Sequence, residues 1–194
     1  TIVAVLLGTL TSYLTHQSRR HFGRWLDPIF MLPLATSAVT LGFGFIVALD
    51  EPPLNLRTSW ILIPIAHTLV AVPFVIRSVL PTLRAMPPTL NEVSYVLGGS
   101  PLATWRKIEF PLISRSLLVG ATFAFTISMG EFGASLFIAR PDATTMPIAI
   151  YRLLGRPGSA NYGQAMALSV LLMGVCALSF IIIERARKVG VGEF

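Results

Sequence analysis

Residues able to make or break bonds are few in this sequence, and their spacing assembles no familiar catalytic site. Hydrolytic chemistry needs a nucleophile with a base, a pair of aspartates, or a set of zinc ligands. Asp27, Asp50 and Asp142 stand apart at the edges of apolar runs or between them, and His16, His21 and His67 lack the His-Glu-x-x-His ligand spacing. Cys176 is the single cysteine, which excludes a disulfide framework. No Gly-x-x-x-x-Gly-Lys-Ser/Thr loop is present to cradle nucleotide phosphates, so any dependence on ATP must come from a partner. The expectation is a chain with no catalytic residue, no metal site and no cofactor of its own.

The most informative polar segment runs from Pro88 to Pro101. Thr89 and Glu92 have the spacing of a capping box, which predicts a short helix starting there, with Glu92 reaching back to the Thr89 amide. Leu90, Val93 and Val96 or Leu97 recur at helical spacing and give that helix one apolar face. Gly98-Gly99 supplies the backbone freedom that ends it, and Ser100-Pro101 restarts a helix as N-cap and first helical residue. The second helix carries Trp105, Arg106, Lys107 and Ile108 toward Phe110-Pro111. Two short helices with an apolar ridge suit docking of a protein partner, and equally an amphipathic hairpin lying among lipid headgroups.

The elements that position this segment follow from composition. Of 194 residues, 54% are apolar and 12% charged, where a soluble domain carries about 25% charged. That leaves too little polar surface to cover a globule, and the bilayer is the expected solvent. Residues 26–49, 60–83, 113–138 and 163–183 are each long enough to cross a hydrocarbon core of about 30 Å. Residues 1–15 form a shorter apolar run without the basic start of a signal peptide, read as a truncated first span. The fold expectation is therefore all-α, a single polytopic membrane domain over residues 1–194 with about five transmembrane helices. Of the polar segments between spans, only 84–112 is long and regular enough to hold helices of its own.

Basic residues divide unevenly between alternate sides. Arg19, Arg20, Arg24, Arg77, Arg84, Arg106, Lys107, Arg115, Arg185, Arg187 and Lys188 fall on one side, and Arg57, Arg140, Arg152 and Arg156 on the other. Cytoplasmic loops are enriched in Lys and Arg, so residues 84–112 and the C-terminus are expected in the cytoplasm and the 140–162 loop outside. The net charge of +6 thus requires no nucleic acid. Pro28, Pro33, Pro64, Pro73 and Pro81, with Gly42, Gly44, Gly130, Gly133 and Gly174, fit ordinary helix packing or a translocation path lined by bent helices. His67, in mid-span, is either a hydrogen-bonded interior histidine or a pathway residue.

The 92–111 segment resembles the cytoplasmic signature loop of binding-protein-dependent ABC importer permeases of type I: Glu-Ala-Ala, three residues, Gly, nine residues, Ile-x-Leu-Pro. The match runs Glu92-Val93-Ser94, then Gly98, then Ile108-Glu109-Phe110-Pro111, with both spacings intact. Val93 and Ser94 stand in place of the alanines and Phe110 in place of leucine. In that family the loop forms coupling helices that enter a groove on the ATP-binding subunit. The resemblance implies that Glu92, Val93, Ser94, Gly98, Gly99, Ile108 and Pro111 belong to that contact, with ATP and Mg on the partner.

A second cluster, Gly130-Glu131-Phe132-Gly133 followed by residues 144–151, is similar to the branch holding sulfate, molybdate, iron(III) and thiamine permeases. The run as a whole looks most similar to the C-terminal half of the fused thiamine and iron(III) permeases. Glu131, with Gly130, Gly133 and His67, is the candidate substrate pathway. Glu131 is either a carboxylate that attracts a cation such as thiamine or iron, or a structural group bonding the backbone of its own turn. Arg152 and Arg156 are candidate contacts for a solute-binding protein, or ordinary residues of a solvated loop.

The resemblance implies a permease subunit of the prokaryotic inner cell membrane, not an enzyme. It would pair with a second copy or half, an ABC ATP-binding subunit and a solute-binding protein, and import thiamine or iron(III), or else a sulfate- or molybdate-type oxyanion. The alternative class is a secondary transporter or channel driven by an ion gradient, which should carry more paired ionisable residues within its spans. A non-transporting scaffold that docks a cytosolic protein and an intramembrane enzyme are further rivals.

Overall fold

A computed structural model describes residues 1–17, 22–50, 56, 59–140 and 143–189. Arg19, Arg20, His21, Arg57 and Asp142 lie outside the described residues, as do the side chains of Arg24, Asp27, Arg187 and Lys188. Every regular element among the described residues is helical: α1 Ile2–Gln17, α2 Phe22–Ala35, α3 Ala38–Leu49, α4 Leu62–Ala85, α5 Thr89–Val96, α6 Pro101–Thr104, α7 Phe110–Gly130, α8 Ser135–Ile138, α9 Met146–Leu154 and α10 Ser159–Val189. Helices satisfy their own backbone donors and acceptors, as a segment surrounded by hydrocarbon must.

The centre of the bundle is α4, which packs against α1 and α7. Its buried stripe, Ala71, Val75, Val79 and Leu83, joins Ala4 of α1 with Ile113 and Ala124 of α7 in one apolar core. Glycines set the spacing on both sides of Val75. A Cβ on Gly8 of α1 would stand 2.6 Å from the Val75 Cβ, and one on Gly120 of α7 would stand 3.2 Å from its Cα. Close backbone approach of this kind is how helices gain dispersion contact where lipid competes on equal terms with apolar side chains.

Among the described residues, three helices are long and apolar enough to cross a membrane: Leu62–Ala85, Pro101–Gly130 and Ser159–Arg185. The first and third match the expected 60–83 and 163–183 crossings. The other two expected crossings are revised. Residues 26–49 do not form one straight span, because Pro28–Ala35 and Ala38–Leu49 meet at 103°. The chain turns at Thr36 and Ser37, whose extended ψ of 131° interrupts the helix, and Thr36 returns its hydroxyl to the Leu32 carbonyl at 3.0 Å. At 1.5 Å per residue neither arm crosses about 30 Å alone, so the pair is a broken span or a re-entrant loop.

The 113–138 crossing is displaced toward its N-terminus. The helix starts at Pro101 and stops at Gly130, after which Glu131 adopts an extended ψ of 111° and α8 resumes only at Ser135. A π turn over Trp105–Glu109, closed by the Phe110 N–H onto the Trp105 carbonyl, joins α6 to α7. The resulting rod of 30 residues is about 45 Å long. Among the described residues the structure presents three spans, or four when the bent pair is counted as one, and with the 16-residue α1 in the place of the truncated first span this agrees with the about five expected.

The 140–162 segment holds a helix the sequence reading did not assign, α9, which packs on α10. Its start is explained by Met146-Pro147: proline in the first turn has no donor to lose there, and Ile148 is buried.

Candidate functional site

Two places concentrate the residues singled out by the sequence, and the α7 rod separates them. At its N-terminal end lies the α5–α6 hairpin, and at its C-terminal end the Glu131 turn.

The capping box at Thr89 does not form. Pro88, already in helical conformation with φ −57° and ψ −28°, occupies the N-cap position, and Thr89 is the first residue of α5 with no side-chain cap. Two successive prolines, Pro87 and Pro88, preset the backbone and start the helix one residue early, which moves the Thr89 hydroxyl past the place where it could cap. Glu92 is thereby released from the N-terminus and is exposed.

The other end of α5 is as expected. Gly98 N–H bonds the Tyr95 carbonyl at 3.0 Å and Gly99 N–H the Ser94 carbonyl at 2.8 Å, the paired bonds of a Schellman ending. Gly98 takes φ +80°, which side-chain-bearing residues rarely adopt. Gly99 passes so near α5 that a Cβ would lie 2.5 Å from the Ser94 hydroxyl. Ser100 then caps α6, accepting from the Ala103 N–H at 3.3 Å, with Pro101 in the first turn.

Two hydrogen bonds, formed by residues far apart in sequence, lock the hairpin. Ser94 and Thr104 share a hydroxyl contact at 2.7 Å, and Asn91 donates to Glu109 at 2.8 Å. Thr104 is buried and Glu109 lies in the π turn. Behind them the buried Tyr13 hydroxyl of α1 faces the Glu109 carboxylate and the Trp105 indole. Sequence reasoning missed Asn91, Thr104 and Glu109 in these roles; each is an ordinary polar residue whose partner is set by the hairpin's closure.

Locked this way, the hairpin presents Val93, Val96, Leu97 and Leu102 outward, with Val96 87% and Leu97 81% exposed. Pro111 is exposed and Ile108 half-buried at the junction with the span. An apolar ridge this open on a rigid pair of helices is a surface in want of a cover.

At the opposite end, His67 of α4 is tied on both ring nitrogens, Nδ1 to the Ser128 hydroxyl at 3.1 Å and Nε2 to the Ser135 hydroxyl at 2.9 Å. It bridges the last turn of α7 to α8 across the break. Glu131 is buried, and its Oε1 accepts from the Ala134 N–H at 2.7 Å. The carboxylate therefore caps α8 across its own turn. Gly42 of α3 and Gly133 interlock this turn with the bent pair: a Cβ on Gly42 would stand 2.6 Å from the Ala134 carbonyl, and one on Gly133 2.9 Å from the Ala38 Cβ. Gly130, by contrast, has open space around it.

Phe132 packs on Tyr151 of α9 with ring centroids 5.3 Å apart, and Phe43 of α3 meets Phe137 edge-on at 5.9 Å. Arg152 turns back to the Thr144 hydroxyl at 2.9 Å, while Arg156 is exposed beyond the end of α9. Ser128 and Ser135 were not singled out from sequence; only their shared distance from His67 in space marks them. No group of three metal-ligating side chains comes together among the described residues. The arrangement is a hydrogen-bonded joint across the break between α7 and α8.

Comparison with known proteins gives a consistent picture. The profile of the family described as binding-protein-dependent transport system inner membrane component matches residues 4–186. The putative 2-aminoethylphosphonate transport system permease protein PhnV of Salmonella typhimurium is 30% identical over 188 residues, covering 96% of this chain and 69% of the relative. The sulfate transport system permease protein CysT of Salmonella typhimurium is 32% identical over 159 residues, 79% of this chain and 57% of the relative. The molybdenum transport system permease protein ModB of Mycobacterium bovis is 30% identical over 203 residues, 98% of this chain and 75% of the relative.

Proposed function

Given that this chain belongs to the family of binding-protein-dependent transport system inner membrane components, and so is a transport subunit whose ATPase resides on another chain, we propose that its α5–α6 hairpin receives the ATP-binding subunit and that its cargo is a small oxyanion. The observation that carries the reading is mechanical. The exposed ridge of Val93, Val96, Leu97 and Leu102 is tied by Asn91–Glu109 and Ser94–Thr104 to a helix that runs without interruption to Gly130. Displacement of the hairpin by nucleotide-driven closure of the partner is delivered as motion of the whole rod. At its far end it meets the joint of His67, Ser128, Ser135 and Glu131, where the bend between α7 and α8 is the element that opens or closes a path. ATP and Mg belong to the partner, and this chain supplies gating alone.

The cargo follows from the relatives. Their names specify 2-aminoethylphosphonate, sulfate and molybdenum, which favours the oxyanion part of the sequence expectation over thiamine or iron(III). Glu131, read from the sequence either as a carboxylate that could attract a cation or as a group bonding the backbone of its own turn, accepts from the Ala134 N–H through Oε1, which supports the second role. The hairpin and the C-terminus belong in the cytoplasm, with the α9 region facing an external solute-binding protein. The charge count of the loops supports this orientation, and so does the α7 rod, which separates the hairpin from the Glu131 turn by about 45 Å. A second permease copy or half completes the path.

The test is purification of the full-length protein from its native membrane together with its associated chains, followed by ATPase assays with the solute-binding protein and phosphonate, sulfate or molybdate. Co-purification of an ATP-binding subunit that is lost in Glu92 and Gly98 variants, with stimulation by one oxyanion, is the expected result. An intact preparation without such a subunit would overturn the coupling role. Stimulation by thiamine or iron(III) instead would overturn the cargo.

A further inference from the structure

Arg77 stands in the α4 span, eight residues before its end at Ala85 and so about 12 Å inside it. Its side chain is exposed and makes no hydrogen bond or ion pair with any described residue. Arg77, Pro81 and Arg84 follow at i, i+4 and i+7, so they share one face of α4, away from the buried stripe of Val75, Val79 and Leu83. That face forms the wall of a groove of about 480 Å³, closed on the other side by Pro28 and Met31 of α2. Its size is that of a small-molecule site.

A guanidinium carries its charge at all physiological pH, and in hydrocarbon an unpaired charge is costly enough that intramembrane arginines turn to water-filled cavities or to partners. The groove is therefore a wet face of the bundle. Prolines at positions 28 and 81 remove two backbone donors from its walls, and the guanidinium of Arg77 lines the groove two turns farther from the end of α4 than Arg84 does. A planar fork of N–H donors fits two oxygens of a tetrahedral or phosphonate anion.

We propose that Arg77 is the anion contact of this chain, holding an oxygen-bearing anion in the groove between α2 and α4 on the cytoplasmic half of the path. The proposal rests on the oxyanion reading of the cargo and adds the residue that meets it. The same chemistry would serve the phosphate of a lipid headgroup, and the experiment separates the two sources.

The complete transporter, with its ATP-binding and solute-binding partners, is reconstituted in proteoliposomes as wild type, Arg77→Gln and Arg77→Lys, and uptake of sulfate, molybdate and 2-aminoethylphosphonate is measured alongside bound phospholipid in the purified complexes. The expected result is a drop of tenfold or more in uptake of the anion that the wild type carries for Arg77→Gln, partial recovery for Arg77→Lys, and unchanged subunit stoichiometry and lipid content. Wild-type uptake rates in Arg77→Gln with loss of tightly bound phospholipid would overturn the proposal in favour of a headgroup anchor. Loss of a subunit from the Arg77→Gln complex would overturn it in favour of an ion pair across the assembly. Equal uptake, lipid and assembly in all three forms would remove any role for Arg77 and leave the cargo reading intact. Absence of uptake of every oxyanion by an active wild-type complex would bring down the cargo reading itself and this proposal with it.

Discussion

Asn91 on α5 donates its side-chain amide to Glu109 in the π turn at 2.8 Å, joining the exposed helix of the hairpin to the foot of the 30-residue rod that ends at Gly130. A second tie, Ser94 to Thr104 at 2.7 Å, lies nearer the hairpin's tip. With both in place, α5 cannot pivot independently of α7.

Removing one tie should loosen the hairpin without unfolding the spans. A double-mutant cycle of Asn91→Ala with Glu109→Ala is expected to give a coupling energy of about 0.5–1.5 kcal/mol, the ordinary worth of a net hydrogen bond. Hydrogen exchange over α5 should rise while exchange over α4 stays as in the wild type.

Glu92 makes no cap and is exposed beside the apolar ridge, so its truncation has little to do to the fold. Glu92→Ala should keep membrane yield and thermal stability within about 0.5 kcal/mol of the wild type, as surface substitutions do, while transport in vesicles falls at least several-fold. Normal transport would show that Glu92 plays no part in coupling.

Gly98→Val forces a β-branched residue to φ +80°, at a cost of about 1–2 kcal/mol. The Schellman ending should open and the ridge lose its angle to α6, with ATPase activity retained on the partner but no longer tied to solute. Simultaneous measurement of ATP hydrolysis and uptake reads that split directly.

At the other end of the rod, Glu131→Gln and Glu131→Ala distinguish a cap from a charge. Gln keeps an oxygen for the Ala134 N–H and should transport nearly as the wild type does. Ala leaves a buried donor unpaired, at about 1–3 kcal/mol, and should lower both stability and uptake. Equal loss in the two variants would assign the role to the negative charge instead.

The parts of this architecture that were legible in the sequence are those written in hydropathy and local spacing. The α4 and α10 spans follow from predominantly apolar length, and the Gly98-Gly99-Ser100-Pro101 junction from residues whose backbone preferences allow little else. Hydropathy has no sense of direction, however, so a run that bends by 103° at Thr36–Ser37 reads the same as a straight one. The stop at Glu131 was hidden for a similar reason, since Phe132, Ala134 and Leu136 continue the apolar run through the break. The Thr89 capping box had the right letters, and Pro87-Pro88 displaced it by one residue. His67 was visible as an oddity, but Ser128 and Ser135, which explain it, lie 61 and 68 positions away.

The π turn between Trp105 and Glu109 holds one residue more than an α-helical path would use. That surplus fixes the compass bearing of the hairpin relative to the bundle. Deleting one residue from the turn would leave the Val96–Leu97 ridge on nearly the same side, whereas a change that closed the turn as plain α-helix with all five residues kept would swing the ridge by about 100° about the rod axis. A transporter so altered would be fully folded and would face its motor with the wrong side.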